Sequence, residues 1–129
     1  MAFATEFIDV GRGVLHTGSG TVTGQELIAG ARLDLQAARD GLPLRYGLVD
    51  FTDITRFEVG SGDIREVARI DIELAKIIGT ARVAVVAPQD VAFGMSRMWE
   101  AYVHATAWQT QVFRDPAEAR DWLAMHVSR

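Results

Sequence analysis

Short β-branched runs alternate along this chain with longer stripes of helical period. The clearest unit is Arg82 to Trp99, RVAVVAPQDVAFGMSRMW. Val83, Val85 and Val86 form the near-continuous apolar run of a strand buried on both faces. Pro88 separates that strand from a helix starting at Asp90, on which Met95, Met98, Tyr102 and Ala105 line up toward the sheet while Phe93, Arg97, Glu100 and His104 point elsewhere.

Upstream, Phe3 to Asp9 and Val14 to Thr17 predict two strands joined through Gly11, Arg12 and Gly13, a hairpin spacing. Gly18, Ser19 and Gly20 then loosen the backbone before Thr23, which caps a helix with Glu26 as its capping-box partner. Leu27, Ala31, Leu35 and Ala38 share a face of that helix, which stops near Gly41 and Pro43. Arg45 to Phe51 reads as the third strand and Thr52 to Gly62 as a polar loop.

A second helix opens at Ser61 or Asp63 and closes at Gly79, with Val67, Ile70, Leu74, Ile77 and Ile78 on one face and Asp71 at the edge of the apolar arc. Thr110 to Arg114 supply a fifth strand. Asp115 and Pro116 start a last helix that docks through Trp122 and Leu123, with His126 on the same side. The order predicts an α/β fold: a mixed, mostly parallel five-stranded sheet with an N-terminal β-hairpin and four helices, the Arg82 to Ala87 strand in its interior.

Length and composition make this one globular domain over residues 1–129. A net charge of -4, with basic residues scattered among acids, argues against a nucleic-acid partner. The absence of cysteine excludes disulfides, a thiolate nucleophile and cysteine-based metal centres, and fits a reducing compartment. No basic stretch followed by a long apolar run marks a signal peptide or a membrane span, so a cytoplasmic protein is expected.

The element order, GLVDFTDIT at Gly47 to Thr55, RVAVVAP followed by Gly94, Arg97 and Met98, and VFRDPAEARDWL ending at Leu123 together resemble the STAS domains. The resemblance is closest to the small bacterial STAS-like proteins called sporulation-stage-II-AA-like, and it covers most of the chain. It implies a regulatory, protein-binding module rather than an enzyme. In the antagonist branch of that family a serine in an Asp-Ser-Ser-Gly turn, opening the helix after the third strand, is phosphorylated by a partner kinase. The matching turn here is Val59-Gly60-Ser61-Gly62, in which Ser61 and Gly62 agree and the preceding Asp-Ser pair is missing.

The residues themselves keep two functions open. Ser61 before a helix is an N-cap, or a site where a phosphate would meet unpaired N–H groups and the helix dipole. Asp50 and Asp53 stand at the C-terminal edge of a parallel strand, where ligand clefts of such sheets form, or close their loop through Asx turns. With Ser61, Gly60 and Gly62 they outline a cleft for an apolar or anionic small molecule. Arg97, with Phe93 four residues before it, suits a cation-π contact or an anion site.

On the second helix Ile64, Ala68, Ile72 and Ala75 widen the apolar arc. Ile72 is therefore expected to meet a protein partner or a second copy of the chain, with Asp71 at the margin pairing with an arginine.

Other motifs are weaker. Gly18 to Gly24 misses the dinucleotide-loop spacing, there is no phosphate loop ending in Gly-Lys and no serine-hydrolase elbow, and His16, His104 and His126 stand in no metal spacing. No cofactor or catalytic group is assigned. Met95, Met98, Trp99 and Tyr102 read as core packing before they read as a ligand lining.

Overall fold

The structure, a computed structural model, describes residues 2–127, with side chains as far as residue 125; the expected packing of His126 lies outside the described side chains. A single five-stranded sheet runs in the order β1-β2-β3-β4-β5. Its strands are β1 (Phe3–Ile8), β2 (Gly13–Thr23), β3 (Tyr46–Glu58), β4 (Ala81–Val86) and β5 (Trp108–Phe113). β1 pairs antiparallel with β2 and every later pair is parallel. The mixed sheet and the interior place of β4 are as the hydrophobic pattern predicts.

Three helices bridge the parallel strands: α1 (Gly24–Arg39), α2 (Ser61–Ile78) and α3 (Asp90–Val103); α4 (Pro116–Val127) follows β5. Because the strand order never reverses, crossovers of one hand deliver α1, α2 and α3 to the same face of the sheet. Among the described helices only α4 reaches the other, where Leu123 and Ala119 pack on Leu48, Ala84 and Val86.

Capping fixes where these helices begin. The Thr23 hydroxyl accepts from the Glu26 N–H at 3.3 Å and the Glu26 carboxylate accepts from the Thr23 N–H at 3.0 Å, which closes the predicted capping box. α2 opens at Ser61, and it is Asp63 that reaches back, accepting from the Gly60 N–H at 2.9 Å. At α4 the Asp115 carboxylate accepts from the Ala117 N–H at 3.0 Å.

β2 and β3 are longer than the pattern predicts. The glycine-rich Gly18 to Gly20 stretch and the residues after Phe51 both remain in strands, paired to each other beyond the end of β4, with register shifts at Thr17/Ser19 and Gly20/Thr21. Those irregularities break the two-residue alternation, so Phe51, Ile54, Phe57 and Val59 turn inward at uneven spacing and read as loop. The Gln89 side-chain amide fastens the extension to the start of α3, donating to the Phe51 carbonyl at 3.1 Å and the Ile54 carbonyl at 3.3 Å.

Candidate functional site

The layer between the sheet and helices α1, α2 and α3 contains a cavity of about 110 Å³. Small residues cause it. Gly47 sits on the central strand between Val14 and Val83 and leaves their row of the sheet without a middle side chain, while Ala31, Ala81 and Ser96 supply little volume around it. Val49 and Val83 are consequently only half-buried, although their strands have neighbours on both sides. The walls are otherwise apolar, with Leu27, Val67, Leu74 and Trp108 among them.

Polar groups enter this apolar space from three elements. His16 on β2 is buried and stacks on Phe3, ring centroids 5.3 Å apart. Its Nδ1 is 2.8 Å from the Thr5 hydroxyl, and its Nε2 is 2.7 Å from the Asp34 carboxylate on α1. Gly30, one turn before Asp34, makes that reach attainable: a Cβ there would lie 2.8 Å from the Phe3 ring, so only glycine lets α1 approach the strands this closely. From α2, Asp71 accepts a hydrogen bond from the Trp99 indole N–H of α3 at 2.9 Å.

Burial sets the electrostatics. Asp71 is enclosed, and desolvation pushes its carboxyl from the ordinary aspartate range up to about 7; the Trp99 hydrogen bond and His16 favour its ionised form, and the charge of Asp34 opposes it. His16, Asp34 and Asp71 therefore form one coupled polar cluster around the cavity. Two fully buried side-chain atoms of residues around the cavity have no hydrogen-bond partner among the described residues: Asp34 Oδ1, an acceptor, and Trp108 Nε1, a donor. Among the described residues no three His, Asp or Glu side chains group closely enough to hold a metal ion.

The residues singled out from sequence lie elsewhere. None of Asp50, Asp53, Gly60, Ser61, Gly62 or Arg97 lines the cavity. Asp50 closes an Asx turn, accepting from the Thr52 N–H at 2.9 Å and from the Thr52 hydroxyl, while Asp53 is exposed. Ser61 is exposed as the first residue of α2, flanked by exposed Gly60 and Gly62.

Arg97 does not stack on Phe93. It pairs with Glu100 at 3.1 Å, and Arg114 covers the Phe93 ring at 4.2 Å, because β5 ends beside the start of α3. Ile72 is half-buried against the core of its own chain, and Asp71 meets Trp99 instead of an arginine. The inward face of α3 is Ala92, Ser96, Trp99 and Val103, with Met95 and Met98 beside it; Tyr102 and Ala105 are exposed.

The comparison with solved structures turns on this arrangement of strands and helices. The fold is SpoIIAA-like. It resembles the anti-sigma factor antagonist SpoIIAA in its unphosphorylated form, with a TM-score of 0.60 and 16% identity, over 95% of this chain and 97% of that one. It resembles the Bacillus cell fate determinant SpoIIAA in the phosphorylated form at a TM-score of 0.59 and 16% identity, over 95% and 99% of the two chains. An uncharacterised DUF3478-family protein with a SpoIIAA-like fold from Shewanella loihica PV-4 matches at a TM-score of 0.58 and 19% identity, over 95% and 92%.

No protein-family model matches the sequence, and no curated protein matches it significantly. These likenesses establish the SpoIIAA-like, STAS-like fold. Among the described residues no helix is long and apolar enough to cross a membrane.

Proposed function

We propose that this chain is a non-enzymatic regulatory module of STAS-like type that takes a small, largely apolar molecule into its core. The cavity between the sheet and α1 to α3 carries the reading. Its walls are apolar and it holds about 110 Å³, somewhat less than the roughly 150 Å³ of an apolar cavity that takes up benzene, so a compact apolar occupant suits it. Regulation follows from the wall, since α2 both lines the cavity and starts at the exposed surface around Ser61. Occupancy inside and a partner protein outside act on the same helix.

Toluene is expected to raise the melting temperature in a concentration-dependent way, as any ligand of the native state does. Val83→Phe, which places a ring in the cavity, should keep or raise the stability and abolish the toluene response. Val86→Phe, on the fully packed opposite face, should instead lose about 1–3 kcal/mol and retain that response. A melting curve of the wild type unmoved by toluene would count against the cavity as a binding site.

A second reading rests on Ser61, exposed at the first position of an 18-residue helix. A phosphate there would meet the free N–H groups of the first turn and the positive end of the dipole. Intact-mass measurement of the chain expressed in its native host should show a phosphorylated fraction that disappears in Ser61→Ala. A single unmodified mass for the wild-type chain removes this reading.

A further inference from the structure

We infer that the core cavity continues outward past Leu44 and Ile78 into a recess at Arg45, and that the molecule taken up is an amphiphile, with an apolar tail inside and a carboxylate head on the Arg45 guanidinium. This rests on the proposed binding in the core and names the ligand class. The recess, of about 260 Å³, lies between the C-terminal ends of α1 and α2 and residues 42–45, which lead into β3. Leu44 and Ile78 line both spaces, so one layer of side chains divides them. Ile78 is the looser of the two: it is half-buried at the last position of α2, whereas Leu44 is buried.

Arg45 is the only charged residue of the recess among those described, and the rest of the lining is apolar. Its backbone is fixed, the N–H donating to the Arg12 carbonyl at 2.7 Å and the carbonyl accepting from the Arg82 N–H at 3.1 Å. Its side chain is exposed and, among the described residues, has neither an ion pair nor a hydrogen bond. The carbonyls that close the neighbouring helices are already bonded. Those of Gln36, Ala37 and Ala38 accept from the N–H groups of Asp40, Leu42 and Gly41, and that of Ala75 accepts from Gly79, which blunts the negative helix ends. The Asp40 carboxylate is turned to Gln36 Nε2 at 3.0 Å. An unpaired cation at the rim of an apolar recess selects an anion whose remaining surface is apolar. One guanidinium matches one carboxylate, in charge and in the spacing of its oxygens.

Hexanoate and 1-hexanol test this, because they share a chain length and differ in the charge of the head. Their dissociation constants would be measured by titration at pH 6, where hexanoate is ionised. The signals followed are the indole N–H resonances of Trp99 and Trp108, which line the cavity, and of Trp122, which packs on the other face of the sheet. In the wild type hexanoate should bind roughly fivefold more tightly than hexanol, the upper end for an exposed ion pair. It should also move the Trp99 and Trp108 resonances and not that of Trp122, and compete with toluene.

Arg45→Gln, a change at an exposed side chain, should remove that preference and leave hexanol and toluene binding unchanged, while Arg45→Lys should keep part of it. Hexanol binding as tightly as hexanoate, or a preference for hexanoate that survives in Arg45→Gln, overturns the assignment of the head to Arg45. Hexanoate that binds without moving Trp99 and Trp108 or displacing toluene overturns the joined site. Toluene binding without hexanoate binding overturns this inference and leaves the proposed function standing. Failure of all three probes to bind the wild type overturns both.

Discussion

Asp34→Ala will cost about 3–5 kcal/mol of folding stability, the usual penalty for leaving one member of a buried polar pair without the other. His16 is buried and stacked against Phe3, so its Nε2 cannot turn to water once the 2.7 Å contact with Asp34 is gone. The double variant His16→Phe with Asp34→Leu should return close to the wild type, because both partners are then apolar and a phenyl ring keeps the stack on Phe3. Urea denaturation of the three proteins measures the difference. If Asp34→Ala unfolds at the wild-type midpoint, the His16 and Asp34 contact contributes nothing to stability.

Stability should also fall as pH rises from about 4 to 7, through the titration of Asp71. Its carboxyl is raised to about 7 in the folded chain, whereas in the unfolded chain it titrates near 3.9. Between those values the native state holds a proton that the unfolded state has released, so raising the pH favours unfolding. A difference of about three pKa units corresponds to about 4 kcal/mol, fully lost above the folded value.

Asp71→Asn keeps an oxygen that accepts from the Trp99 indole and carries no charge to desolvate. It should therefore lack this slope and exceed the wild type in stability at pH 8. Denaturant midpoints of both proteins at pH 5 and pH 8 decide it. Parallel pH profiles would show that Asp71 is not the titrating group.

The fold was legible because β4 and the helical stripes are clean signals: Val83, Val85 and Val86 read as a buried strand, and Thr23 with Glu26 and Asp115 with Pro116 mark helix starts that the structure reproduces. The extended ends of β2 and β3 were hidden by their register shifts, which spoil the alternation that identifies strands. The cavity was not legible at all. His16, Asp34 and Asp71 are separated in sequence by stretches of ordinary length, and each taken alone resembles a surface or packing residue; only the topology brings β2, α1 and α2 together.

One signal was present. Asp34 falls within the stretch bearing Leu27, Ala31, Leu35 and Ala38, and Asp71 lies at the edge of an apolar arc, each a carboxylate beside a buried face. From the sequence Asp71 reads as the margin of an interface, whereas the fold buries it against Trp99.

The unbroken strand order also governs how the chain assembles. Each strand pairs with its immediate predecessor, so the sheet can lengthen one strand at a time as the chain emerges, without waiting for a distant segment to return. The last wall of the cavity arrives late, because Trp99 on α3 and Trp108 on β5 follow every other residue that lines it. A ligand therefore has no complete site to enter until the final strand has docked, and its binding should slow unfolding without accelerating the early steps of folding.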